Sequence, residues 1–211
     1  MAMTRQKAVL FVGPTGSGKT PLGDFCQEKG VWGMRCHHFD FGAILREIEK
    51  TGIGPASLTK EDTGIINDSL QTGALLGDEH FHIARSILTE FMYKRKMNED
   101  DLLLLNGLPR HVGQARDVDR IIDVKMIVYL HCSPETVQKR ILSNSGGDRS
   151  GRVDDSLEAV ENKLRLFRGS TFPMIGHYRL KKIAMDHIEV GVHTSPEEIQ
   201  HRLDMGRYPC V

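Results

Sequence analysis

Hydrophobic and polar positions along the chain follow two periods, which alternate from one end to the other. Short runs rich in β-branched and apolar residues lie at 8–12, 36–39, 101–106, 124–131 and 187–192, and each predicts a strand. The third and fourth are continuous apolar runs, the pattern of parallel strands buried on both faces. Between them, Ala84, Ile87, Leu88, Phe91 and Met92 form a stripe at helical spacing, and Val160, Leu164 and Phe167 form another. Ser133-Pro134 and Ser195-Pro196 each read as a capping residue followed by proline in the first helical turn, and Glu198 completes a capping box. Strands alternating with helices predict an α/β fold in three layers, αβα, around a five-stranded parallel sheet.

Two stretches break the rhythm. Residues 51–77 carry short polar helical pieces between Gly52, Gly54, Gly64 and Gly73, too long for an ordinary connection, and predict a small inserted flap. Residues 143–153 are rich in glycine and serine between periodic helices, and predict a lid.

Composition narrows the function classes. A chain of 211 residues suits one domain. Its 28 Lys and Arg balance 28 Asp and Glu, so no overall basic field draws it to nucleic acid or an anionic membrane. The apolar runs fall far short of a membrane span and the first residues lack a signal-peptide core, so the expectation is a cytoplasmic protein. Cys26, Cys36, Cys132 and Cys210 are scattered with no zinc spacing, which predicts reduced structural thiols. The ten histidines, including His37-His38 and the pair His80 and His82, match no ligand pattern and read as surface or satisfied polar groups.

The chemistry is concentrated in one stretch. Gly13-Pro14-Thr15-Gly16-Ser17-Gly18-Lys19-Thr20 spells the phosphate-loop pattern G-x-x-x-x-G-K-S/T, and it lies between the first predicted strand and a helix marked by Leu22, Phe25 and Cys26. Glycines there let successive backbone N–H groups wrap an anion, the helix N-terminus adds partial positive charge, and Lys19 adds a full one. A triphosphate such as ATP is the expected guest. Thr20 is placed to put its hydroxyl on the accompanying Mg²⁺, or to cap the helix.

Several separated motifs then resemble the adenylate kinase and nucleoside monophosphate kinase family over roughly residues 8–203. Gly42-Ala43-Ile44-Leu45-Arg46 resembles its G-D-L-L-R, and Gly73 to Glu79, containing Leu76, resembles the segment that closes the monophosphate flap. Asn106-Gly107-Leu108-Pro109-Arg110 with Gln114 resembles D-G-F-P-R and the base-reading glutamine, and residues 150–155 resemble the exit of a short lid. The resemblance implies one phosphate-loop kinase domain with a flap at about 42–77 and a lid at about 143–153. It implies a monomer that transfers the γ-phosphoryl group of ATP to a nucleoside monophosphate, with AMP expected from Gln114.

By the same resemblance, Gly13, Gly16, Ser17, Gly18, Lys19 and Thr20 hold the donor, and Arg140 stacks on its adenine. Gly42, Arg46, Leu76, Gly107, Arg110 and Gln114 form the acceptor site, where Arg46 and Arg110 grip the phosphate with planar forks. Arg152 and Lys163 join Lys19 and Arg110 around the group in flight, while Arg149 lies in the lid without a clear counterpart. Phe41, before Gly42, either stacks on a base or narrows the pocket.

The chain also departs from the family. Asn106 stands where relatives carry the aspartate on the metal side, Ala43 replaces a second acid, Lys163 replaces an arginine, and Thr20-Pro21 follows Lys19 where most relatives have Gly-Thr. Asp40, at the end of the second strand, is expected either to restore the missing negative charge beside Thr20 and Asn106 or to cap the next helix. Asn106 and Ala43 keep a weakened nucleotide-binding or sensor protein of the same fold open as a rival reading, beside another phosphate-loop small-molecule kinase.

Overall fold

The apolar runs become strands because each has a helical layer on both sides to bury against. In the computed structural model, which describes residues 5–149 and 156–206, the strands are β1 (Gln6–Val12), β2 (Cys36–Asp40), β3 (Leu102–Asn106), β4 (Ile122–His131) and β5 (Ala184–Glu189). All pairings are parallel, in the order β2-β3-β1-β4-β5. This is the expected five-stranded parallel sheet.

Side-chain alternation divides the core in two. Ala8, Leu10 and Val12 of β1 join Leu103 and Leu105 of β3 beneath α2 (Phe41–Thr51), α4 (Phe81–Lys94), α5 (Val112–Val118) and α8 (Phe172–Leu180), which contribute Ile48, Ile87, Val118 and Tyr178. Val9 and Phe11 join Leu102 and Leu104 on the other face, under α1 (Lys19–Lys29), α6 (Pro134–Leu142), α7 (Leu157–Leu166) and α9 (Pro196–Met205). Each buried leucine contributes about 1.5–3 kcal/mol relative to exposure. The central strands are therefore the best anchored part of the fold, and the loops at their carboxyl ends inherit that rigidity.

The predicted caps form. Ser133 Oγ accepts from Thr136 N–H at 3.2 Å, and Ser195 with Glu198 makes the full capping box. Cys26, Cys36 and Cys132 are buried free thiols; Cys210 lies outside the described residues. Among the described residues no helix is long and apolar enough to cross a membrane.

Two expectations need correction. The last strand runs from Ala184 to Glu189, not 187–192: its ladder opens at Met126 opposite Ala184 and closes at His131 opposite Glu189, where β4 ends. As an edge strand it buries only Ile188 fully, so its first half lacks the apolar signature that marks β3. The second correction concerns residues 51–77. Their polar pieces are one continuous helix, α3 (Lys60–Thr72), and Gly64 sits inside it, where an added Cβ would meet nothing. A capping box of Thr59 and Asp62 starts α3, and Asp62 also bonds His82 Nε2 at 2.6 Å, tying α3 to α4.

Candidate active site

The phosphate loop leaves β1 at Val12 and delivers the chain to α1 at Lys19. Two of its glycines, Gly16 and Gly18, have φ of 78° and 92°, a region that side-chain-bearing residues rarely adopt. Gly13 is required for a different reason: a Cβ there would lie 2.6 Å from Ser17 Oγ and 2.7 Å from the Leu130 carbonyl. Ser17 is fully buried beneath the loop. Lys19 Nζ donates to the carbonyls of Gly13 and Pro14, each at 2.8 Å. Burial, and then the charge of Arg110, pull its ammonium down to about 7, against a smaller opposing effect of Asp40.

Arg140 is packed against this loop. It is only 5% exposed. Its Nε donates to the Gly16 carbonyl at 3.0 Å, and Nη1 donates to the carbonyls of Gly191, Val192 and Thr194 at 2.7, 3.1 and 3.2 Å. The guanidinium thus clamps the phosphate loop to the turn between β5 and α9. Arg149 donates to Thr15 Oγ1 at 3.0 Å.

The carboxyl ends of β2 and β3 bring Asp40 and Asn106 side by side in register. Asp40 Oδ1 accepts the Ala43 N–H at 2.9 Å, capping α2. Its Oδ2 accepts the Thr20 hydroxyl at 2.5 Å and the Asn106 amide at 2.9 Å. Asn106 Nδ2 also reaches Thr20 Oγ1 at 3.1 Å and His38 Nε2 at 3.4 Å. His38 is held from behind by Asp24, whose carboxylate meets Nδ1 at 2.8 Å. With Nδ1–H donated to Asp24, Nε2 is left as an acceptor and turns the Asn106 amide nitrogen inward. Gly23 makes room for this ring, since a Cβ there would meet it at 2.3 Å.

The opposite wall is built on the turn after β3. Arg110 lines the same cleft as Lys19, and burial lowers its guanidinium from the usual range. Arg46 of α2 and Lys163 of α7 line the cleft too, as do Gly42, Leu76 and Gly107. Gln114 is 2% exposed and bonded to backbone on both sides: its Nε2 donates to the Leu76 carbonyl at 2.9 Å, and its Oε1 accepts the Arg110 N–H at 2.8 Å. His111 reaches the same Leu76 carbonyl at 3.0 Å. Gln114 therefore ties the segment after α3 to the backbone of Arg110. Arg152 lies outside the described residues.

Sequence reasoning missed the Asp24–His38 pair and the buttressing by Arg140. A signal for the first exists: His38 precedes Asp40 by two on a strand, so both point to one face. The second joins positions 124 and about 51–54 residues apart and leaves no local signature.

The family profile described as an AAA domain matches residues 12–161 of this chain. An adenylate kinase of Rickettsia bellii (strain RML369-C) is 26% identical over 199 residues, covering 81% of this chain and 86% of the relative. UMP-CMP kinase 3 of Oryza sativa subsp. japonica is 27% identical, covering 84% of this chain and 76% of the relative. Adenylate kinase isoenzyme 1 of Oryctolagus cuniculus is 30% identical over 182 residues, covering 86% and 85% respectively. Phosphate loop, sheet order and relatives agree, and the chain belongs to the adenylate kinase family of phosphate-loop kinases.

Proposed function

We propose that this chain transfers the γ-phosphoryl group of ATP to a nucleoside monophosphate, with AMP its preferred acceptor. The observation that carries the reading is the convergence of two desolvated cations, Lys19 and Arg110, on one cleft of about 1350 Å³. That volume exceeds the roughly 300–1,000 Å³ of a single small-molecule pocket, as two nucleotides facing each other require. Among the described residues the Arg110 guanidinium has no carboxylate partner, and its charge lowers the ammonium of Lys19. Two cations held together out of water are costly unless an anion joins them.

In this reading the loop of Gly13, Gly16, Ser17, Gly18 and Lys19 holds the donor phosphates through backbone N–H groups and one ammonium. Arg110 and Arg46 hold the acceptor phosphate in line, with the flap at 42–77 and the lid at 143–153 excluding water. Arg149 and Lys163 add charge to the same cleft, and the family resemblance gives Arg152 the same role. An acceptor phosphate oxygen attacks the γ-phosphorus as its bond to the bridging oxygen breaks, and the protein's part is positioning and positive charge. The Thr20 hydroxyl and Asp40 carboxylate are oxygen donors and fit a hard cation, so these two would hold Mg²⁺, while Asn106, also expected on the metal side, turns its amide nitrogen to the Asp40 carboxylate. When bound, that ion neutralises charge between the β- and γ-phosphates. The enzyme would work as a cytoplasmic monomer in nucleotide metabolism.

A coupled assay of ADP formation with AMP, CMP, UMP, GMP and dAMP tests the reading. AMP is expected to turn over fastest, and Lys19→Ala to abolish turnover. Rates no greater than buffer with every acceptor would overturn the kinase reading in favour of a nucleotide sensor; a faster pyrimidine acceptor would overturn the AMP assignment alone.

A further inference from the structure

At the sheet edge farthest from the flap, three side chains that take no part in the cleft converge on a common point. His131 ends β4, and its ladder partner on β5 is Glu189. His187 precedes Glu189 by two residues, so strand alternation places all three on one face. Glu189 sits between the rings: Oε2 lies 2.7 Å from His131 Nδ1, and Oε1 lies 3.2 Å from His187 Nε2. One ligand atom from each residue falls within 4.8 Å of the others.

We infer that His131, His187 and Glu189 form a surface binding site for a divalent transition-metal ion, with zinc its best-suited occupant. Two imidazole nitrogens and one carboxylate oxygen are the borderline donor set that zinc prefers, whereas Mg²⁺ and Ca²⁺ require oxygen. Zinc bonds to such atoms run about 2.0–2.2 Å in a tetrahedron, so neighbouring ligand atoms sit a little over 3 Å apart. The observed spacing needs only small side-chain rotations. The side chains are 44%, 54% and 73% exposed, which leaves the fourth position open to water.

The rings are also pre-oriented. Tyr129, the ladder partner of His187, stacks on it at 5.0 Å with a 28° interplanar angle, and His131 meets His187 edge-on at 5.4 Å. On its far side Tyr129 leans on Phe172 of α8 at 5.8 Å. Exposed histidine–carboxylate pairs of this kind contribute only about 0–1 kcal/mol as ion pairs. Ion pairing therefore gives little reason for two imidazoles to be held on one carboxylate.

A metal here would cross-link β4 to β5 just before the chain turns. Val190 N–H donates to the His131 carbonyl at 2.8 Å, and the next residues supply the carbonyls that hold Arg140. Zinc binding is accordingly expected to raise the melting temperature as well as to saturate.

The test is calorimetric titration of zinc into tag-free, chelator-treated full-length protein in excess Mg²⁺. One equivalent should bind, at least tenfold more weakly after His131→Ala, His187→Ala or Glu189→Gln, with a matching loss of the thermal shift. Cobalt should give the visible absorption of a tetrahedral ion, absent in the double histidine variant. Lys19→Ala should bind zinc like the parent protein, which separates this site from the phosphate loop. No saturable binding to the parent protein, or undiminished binding to the double histidine variant, would overturn the inference.

Discussion

Asn106 donates its amide to the Asp40 carboxylate at 2.9 Å, on the oxygen that also accepts the Thr20 hydroxyl. The negative charge at this corner of the cleft thus stands on β2, and the residue beside it on β3 is neutral. An aspartate at both positions would set two carboxylates against each other in a partly buried site. We expect Asn106→Asp to lose about 2 kcal/mol at neutral pH, the scale of a lost hydrogen bond to a charged group plus repulsion. Urea denaturation should show millimolar Mg²⁺ restoring most of that loss while changing the parent protein little. A Mg²⁺ response equal in the two proteins would show that Asp40 and residue 106 do not share an ion.

Arg140 makes the next prediction because its four backbone acceptors belong to two separate loops. Arg140→Met should cost about 3 kcal/mol, since hydrogen bonds to a charged donor contribute about 1.5–3 kcal/mol each and the bonds lost are part-buried. Arg140→Lys should recover less than half, because an ammonium cannot span both loops as a planar fork does. Denaturant midpoints measure both. A loss below about 1 kcal/mol for Met would mean the clamp is incidental.

How far the sequence reveals these features depends on how local their causes are. The phosphate loop is legible in eight residues because loop and helix start are contiguous, and β3 is legible because Leu102 to Leu105 are buried on both faces. β5 misleads because an edge strand needs only Ile188 inside, so its bounds follow from where β4 ends. Gln114 shows the limit of motif reading: its spacing from Arg110 is visible in the chain, but its partner, Leu76, is 38 residues away across the flap. The His131, His187 and Glu189 cluster is likewise invisible until strand pairing joins two segments 58 residues apart.

Asp62 tests the anchoring of the flap. Its carboxylate accepts from the Thr59 N–H at 2.8 Å and meets His82 at 2.6 Å, and these contacts, the backbone one first, hold it at about 2. A carboxyl depressed below its unfolded value adds stability that is fully present above about 3.8 and disappears as pH falls through about 2. Asp62→Ala should remove that acid-side step and cost about 1 kcal/mol of capping energy. Amide exchange across α3 should quicken several-fold at neutral pH while β1 and β3 keep their protection. Unchanged exchange in α3 would show that the cap does not govern the flap.

Lys19 carries a consequence for nucleotide binding. Burial and the neighbouring Arg110 lower it to about 7, far below the 10.5 of an exposed lysine. Between these values the unfolded chain binds more protons than the folded one, so the contribution of Lys19 to stability rises with pH across that window. A bound triphosphate reverses the shift, because its negative charge favours the ammonium. At pH 8 binding should therefore take up close to one proton, seen as a binding enthalpy that varies with the ionisation heat of the buffer. Arg110→Gln removes the second-largest cause of the depression and leaves burial in place, so the uptake at pH 8 should shrink as a larger fraction of the lysine is protonated beforehand. A buffer-independent enthalpy at pH 8 in the parent protein would show that Lys19 is charged before the phosphates arrive.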